Sequence, residues 1–411
     1  MGIVKNERSD APMRGSALAL IVALCLVAAN MRPAITAVGP LLDQIGTDTG
    51  LSVAALGMLA SVPLLVWALV SPLALRLSRL FGMSRTILGG LLLLLLGTII
   101  RSIAGPSAAL WIGTIVIGVA LAITNVLMPA VIKRDFPGRV PLMMGLYTAL
   151  LGGIGAIGSG IAVPLSLLGD DSSGWRLSLL ITGGALLPVA MIVWASATRG
   201  HHAKHLAARG ATGSMRGIWA DPVAWIVAGY MGFQAATFYM MLTWLASISV
   251  SVGKTEVAAG FDVMIYQLLT IAGPFIVPIV LRGRARRMVP SAIPVLGIVG
   301  VIGLILFPDA VTAWVLPIGL ASGASLSMSL TLMAERARDH DASAALSGMA
   351  QSVGYIMAAI GPIVFGWLHT TTGGWTVSLI FLVVVLVGQG AFGVSAGRDR
   401  FVGDHLRQTS E

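Results

Sequence analysis

Residues 102–132 read SIAGPSAALWIGTIVIGVALAITNVLMPAVI, an unbroken stretch without Asp, Glu, Lys or Arg. A helix needs about 20 predominantly apolar residues to cross the hydrocarbon of a bilayer, and this stretch supplies them. Working outward, residues 15–31, 49–75, 86–100, 140–169, 177–198, 222–253, 263–281, 288–308, 310–334 and 342–397 are equally free of charged side chains. The last run is long enough for two spans, and Thr370-Thr371-Thr372-Gly373-Gly374 is a turn signal between them. Allowing Arg32 and Arg101 at or past the outer parts of their runs gives twelve helices. Of 411 residues 56% are hydrophobic and 10% charged, against roughly 25% charged in an ordinary soluble domain. The runs far exceed the roughly 10 residues of a barrel strand. The fold class expected is an all-α membrane protein with twelve transmembrane helices.

Basic residues set the orientation, because cytoplasmic loops carry the Lys and Arg excess. With the N-terminus inside, 22 of the 26 Lys and Arg fall in cytoplasmic segments; Arg101, Arg176 and Lys254 fall outside, and Arg32 falls within a span. The net charge of +9 therefore reads as basic loops, with no nucleic-acid partner. The expected location is the cell membrane, multi-pass, with both termini cytoplasmic. The first apolar stretch lacks a small-residue cleavage site and reads as helix rather than a removable signal. One cysteine, Cys25, leaves no intrachain disulfide and no cysteine metal site.

The halves repeat. Gly174-Trp175-Arg176-Leu177-Ser178-Leu179 recurs as Gly374-Trp375-Thr376-Val377-Ser378-Leu379, and Gly145 and Gly158 find counterparts in Gly348 and Gly361. The domains expected are a tail (1–14), a six-helix bundle (15–198), a basic linker (199–220), a second six-helix bundle (221–397) and a tail (398–411). His201, His202 and His205 in the linker have no acidic or cysteine companion, so no metal site is expected. Two pseudo-symmetric bundles around a central cavity are a secondary-transporter architecture.

Asn30-Met31-Arg32-Pro33-Ala34-Ile35-Thr36-Ala37-Val38-Gly39-Pro40-Leu41 resembles the first helix of the cyanate and 2-nitroimidazole transporter family of the major facilitator superfamily. Asn125-Val126-Leu127-Met128-Pro129 with Lys133-Arg134-Asp135-Phe136-Pro137 is similar to its fourth helix. Tyr239 with Thr243-Trp244-Leu245 fits the seventh, and Leu346-Ser347-Gly348-Met349-Ala350-Gln351 with Gly354-Tyr355 the eleventh. The resemblance covers almost the whole chain and implies the major facilitator fold. Two features depart from the general superfamily pattern. The loop after helix 2 (residues 77–85) has no acid, and helix 4 has Asn125 in place of the intramembrane arginine of many drug/proton antiporters.

Arg32 is the most informative single residue. In a helix spanning roughly 18 to 40 it lies about 4.5 Å outside the midpoint at 1.5 Å per residue. Arginine near the bilayer centre costs about 2.5–3.5 kcal/mol on insertion scales, so it faces water or a partner. Three readings are open: outward snorkelling, a gating ion pair, or recognition of an anionic or strongly dipolar solute by the planar guanidinium fork. Pro33 cannot bond the Ala29 carbonyl and loosens the helix there; Thr36 shares the face one turn on. With Asn30, the other candidate substrate-binding residues are Asn125, Tyr147, Gln234, Tyr239, Gln267, Gln351 and Tyr355, each equally able to bond a neighbouring helix. Trp244 fits either ligand contact or an interfacial anchor.

Acids are scarce at depth. Asp43 and Asp48 follow helix 1, Asp262 sits near the outer end of helix 8, and none is an obvious proton carrier. Asp135 and Glu335 close the inner ends of helices 4 and 10. They are either solvated loop charges or a gating latch that differs between states. Gly152 to Gly160 is a packing surface, not a nucleotide loop. No nucleophile–His–acid spacing and no cofactor motif appears, so no enzyme is expected. The leading expectation is a monomeric transporter moving a small anionic or nitro-bearing organic solute by alternating access. Broad drug efflux and a non-translocating receptor are the alternatives, and protons stay open as a coupling ion.

Overall fold

The computed structural model describes residues 14–103, 105, 107–169, 173–199, 218–280, 286–338 and 340–402. Most of the expected tails, the linker with its three histidines, and Arg282, Arg284 and Asp339 lie outside the described residues. All regular structure among the described residues is helical, and twelve helices are long and apolar enough to cross a membrane. They are α1 (Leu18–Thr49), α2 (Val53–Phe81), α3 (Met83–Ser102), α4 (Ser107–Asp135), α5 (Val140–Ser166) and α6 (Gly174–Ala197). The second set comprises α7 (Pro222–Ser251), α8 (Glu256–Val280), α9 (Val289–Leu306), α10 (Val311–Glu335), α11 (His340–Thr372) and α12 (Trp375–Ala396).

Local chemistry sets several boundaries. The Ser52 side chain accepts from the Ala55 N–H at the start of α2, and Asp221 accepts from Val223 and Ala224 at the start of α7. Gly373 turns the chain between α11 and α12 with φ 71°, a conformation glycine adopts without penalty. Large apolar side chains such as Leu69, Ile112, Ile192, Phe275 and Val384 stay exposed on the helices, as a lipid-facing surface requires.

Helices α1–α6 pack on one another, as do α7–α12; the two sets meet where α2 crosses α11 and α5 crosses α8. We call the end carrying both described chain ends the terminal end and the opposite one the far end. The first helix differs from the continuous helix expected over 18–40. Its regular part stops at Met31, a single short turn covers Pro33–Thr36, a 3₁₀ turn covers Gly39–Leu41, and helix resumes over Leu42–Thr49. Pro33 supplies no N–H, and the Val38 N–H bonds Ile35 instead of Ala34. The Ala34 carbonyl is thereby released from the helix ladder. Asp43 and Asp48 ride on this extension rather than following the helix.

The three cations expected in outer loops all turn back into the protein. Arg176 pairs with Asp48, Lys254 pairs with Asp262 at 2.6 Å, and Arg101 is only 2% exposed.

Candidate solute-binding site

The break in α1 places Arg32 between the two halves, half-buried. Helix α5 passes so close that a Cβ on Gly155 would lie 3.0 Å from the Arg32 Cβ, 3.5 Å from Gln267 Oε1 and 3.6 Å from Thr36 Cγ2. A side chain there would crowd the Arg32 Cβ, while Gln267 and Thr36 lie at ordinary contact distance. Tyr147 on α5 and Tyr355 on α11 both lie within electrostatic reach of the guanidinium. The Tyr147 hydroxyl donates to Met31 Sδ at 3.6 Å, and Trp67 on α2 stands edge-on to Tyr355 with ring centroids 5.8 Å apart.

On the terminal side of this cluster opens a cavity of about 390 Å³, lined by Trp67, Asn125, Gln351 and Tyr355 among smaller residues. That is the size range of small-molecule sites. The Gln351 amide donates to Ser347, one turn away. Arg32, Asn125, Tyr147, Gln351 and Tyr355 are thus the sequence candidates the fold gathers at or beside the cavity. No carboxylate among the described residues forms an ion pair with Arg32.

Other candidates are spent elsewhere. The Thr36 hydroxyl donates to the Gly155 carbonyl (2.7 Å), Ser159 donates to the Thr36 carbonyl (2.9 Å), and Gln267 donates to Ser159 (2.5 Å). This chain of bonds ties α8 to α5 and α1, so Gln267 and Thr36 stitch the halves together. Asn30 folds back onto the Leu26 carbonyl. Gln234 lines a small pocket inside the second bundle with Thr237, Ser322, Ser325 and Gln389, away from the central cavity. Trp244 is neither at the cavity nor an interfacial anchor. It is 1% exposed, and its indole donates to the Pro362 carbonyl at 2.9 Å. Its position near a span end resembles an anchor, but the neighbouring α2 and α11 cover it. Tyr239 lines a second, smaller pocket on the far side. Asp135 takes both bonds from adjacent Arg134.

Sequence reasoning missed Trp67, Ser159 and Arg101. A mid-span indole on α2 was the available signal for Trp67; the other two depend on contacts between helices distant in sequence.

A half-desolvated guanidinium with phenols from both halves can grip a planar or linear group carrying negative charge, through charge-assisted bonds in a fixed fork. The family model described as Major Facilitator Superfamily matches residues 18–362. The chain is 37% identical to the 2-nitroimidazole transporter of Escherichia coli (strain K12), over 93% of this chain and 96% of that protein. It is 36% identical to the uncharacterized transporter YycB of Bacillus subtilis (strain 168), over 93% and 94%. Identity is 28% to the cyanate transport protein CynX of Escherichia coli (strain K12), over 90% and 94%. In fold it is similar to a bacterial homolog of the human lysosomal transporter Spinster in an inward-facing, unoccupied conformation. That match has TM-score 0.81 at 18% identity, covering 94% of this chain and 98% of that one. The chain belongs to the Major Facilitator Superfamily and, within it, to the cyanate and 2-nitroimidazole transporter family: it is a membrane transporter and not an enzyme.

Proposed function

We propose that this transporter moves a small anionic or nitro-bearing organic solute across the cell membrane by alternating access, as a monomer with both termini in the cytoplasm. The observation that carries the reading is Arg32 itself. It sits half-buried at the α1 break, within electrostatic reach of Tyr147 and Tyr355, and no carboxylate among the described residues pairs with it. Buried charge without a partner is costly, and a solute anion or nitro group supplies that partner. The names of the two Escherichia coli relatives support the class: cyanate is a linear anion, and a nitro group presents two oxygens to one guanidinium fork.

In this orientation the cavity opens toward the cytoplasm. Asp262 is held by Lys254 (2.6 Å), Ser249 (2.9 Å) and Thr312 (2.7 Å), which makes it a structural counter-ion. A proton that accompanies transport then rides on the solute, and Asp262→Asn leaves the response of flux to an imposed pH gradient unchanged.

The test is titration of purified protein with cyanate and with 2-nitroimidazole. Arg32→Ala loses at least about 30-fold in affinity, the range for a truncated buried charge pair of 2–5 kcal/mol. Arg32→Lys recovers little, because an ammonium lacks the planar fork. Wild-type affinity in Arg32→Ala overturns the assignment; near-full function in Arg32→Lys returns Arg32 to a snorkelling role. Orientation has its own test: a cysteine at Ser214, in a Cys25→Ser background, resists an impermeant thiol reagent in intact cells. Ready labelling reverses the topology.

A further inference from the structure

Arg101 closes α3 at the far end, where its sequence position reads as an ordinary loop cation. It is not one. The ends of α3 and α4 touch so closely that a Cβ on Gly113 would lie 2.6 Å from the Arg101 Cβ and 2.6 Å from the Gly97 carbonyl oxygen. With that side filled by backbone, the side chain runs inward toward α1. Its Nη1 donates to the Ala34 carbonyl at 2.8 Å, the carbonyl that the α1 break releases. Arg32 and Arg101 therefore attend the same break, two residues apart along α1.

Nε and Nη2 of Arg101 are buried and have no hydrogen-bond partner. Nor does the charge have one. Among the described residues no ion pair reaches it: Asp48 is held by Arg176 and Trp175, Asp43 by Ser247, Glu256 by Gln44 and Asp262 by Lys254, and Asp309 stands exposed between α9 and α10 of the other half. A guanidinium stripped of water and left unpaired costs several kcal/mol. The unpaired side chain lines a pocket with Ala34, Leu110, Thr114, Tyr239 and Thr243. The space holds about one water-sized particle. A water there satisfies N–H groups and leaves the charge uncompensated; a small anion does both.

We propose that Arg101 is the centre of a second anion site, on the far side of the α1 break, that takes a small monovalent anion. The pocket touches Tyr239, which lies beside Tyr355, so the two tyrosines stand between this site and the terminal-side cavity. The space admits one small particle, so the anion is a resident inorganic ion of halide size rather than the transported solute. The site stands whether or not Arg32 contacts the solute.

The experiment follows the thermal unfolding midpoint of the full-length protein in sodium bromide, sodium cyanate or sodium gluconate at fixed ionic strength. Each variant is its own reference, so a lower starting stability does not obscure the result. Arg32→Ala removes the first cation, and bromide still raises its midpoint by about 2–5 °C over gluconate. Arg32→Ala combined with Arg101→Gln, which keeps a neutral donor for the Ala34 carbonyl, shows no such rise. A rise with bromide identifies a resident inorganic ion, whereas a rise with cyanate alone overturns a site of halide size. No rise in Arg32→Ala, or an undiminished one in the double variant, overturns the proposal. Where the double variant does not fold, bromide-containing crystals of the wild type decide. An anomalous peak within about 3.5 Å of Nε or Nη2, at hydrogen-bonding range for a large halide, supports the site, and water density alone refutes it.

Discussion

At the far end of the interface between the halves, backbone meets backbone: a Cβ on Gly57 of α2 would come within 2.7 Å of the Pro362 carbonyl oxygen of α11. Gly39 presses in the same way on the α7 backbone at Leu242. Asp43 accepts from Ser247 at 2.9 Å, and Gln44 donates to Glu256 at 2.5 Å. At the terminal end the same helices leave space. The repeat-related glycines show a parallel contrast inside each half. Gly158 and Gly361, toward the far end, sit 3.0 Å from Pro33 and 3.2 Å from Met240 by the same Cβ measure; Gly145 and Gly348, toward the terminal end, meet nothing within 4 Å. Equivalent positions in both halves are thus crowded at one end and open at the other. Each crowded glycine meets a helix of its own half, so this crowding ties each bundle together toward the far end.

The most forceful way to break this comparison is to wedge the far end. Gly57→Leu sets a side chain against backbone that cannot yield, an overpacking cost of about 1–3 kcal/mol, and shifts the population toward a far-open state. A cysteine at Thr243 in that background reacts with an impermeant thiol reagent about 5- to 150-fold faster, since 1.4 kcal/mol is a factor of ten. Unchanged reactivity would mean that far-end closure does not depend on the α2–α11 contact. Ser247→Ala pushes the same way with less force. It strips Asp43 of a donor and, at about 1–2 kcal/mol, raises the Thr243 reporter about 5- to 30-fold.

Smaller effects test the glycine pairs. Gly348→Ala meets no atom and stabilises by about 0.4–1 kcal/mol through the unfolded chain. Gly361→Ala must displace Met240 and Ala236, and lowers the unfolding midpoint relative to Gly348→Ala. Equal midpoints would dissolve the distinction between ends. The smallest expected effect is at Asp135. Its bonds go to the adjacent Arg134, so Asp135→Asn shifts the reporter by less than about fivefold, within the 0–1 kcal/mol of such pairs. A larger shift would show that Asp135 exchanges Arg134 for a partner in the other half once the terminal end closes. Glu335→Gln is the matching test of whether the second acid is a solvated loop charge or part of a gating latch.

Spans, helix count and family were legible because charge along a membrane helix is expensive and its absence is one-dimensional information. Arg32 was legible for the same reason: a cation inside a charge-free run announces itself. Arg101 was not, because it ends such a run and its burial depends on Gly113, a residue of the next helix. Trp244 and Gln267 show the same limit. Their depth is written in the chain, but a polar side chain at mid-depth bonds a solute or another helix equally well. The partners that decided it, Pro362 and Ser159, lie more than a hundred residues away.

The break in α1 also has a mechanical meaning. Below it, the regular segment packs with α5 and α6 of its own half; beyond it, the 3₁₀ turn and the extension meet α7 of the other. Arg32 is the fulcrum of this arm. Asp43 lies eleven residues further on, so the arm is about 16 Å long at 1.5 Å per residue. A swing of about 10° at the joint carries its tip about 3 Å, enough to part Asp43 from Ser247, while Arg32, at the pivot, scarcely moves. On the proposed reading of Arg32 as the solute's grip, a hinge placed there would let a gate travel without loosening the hand.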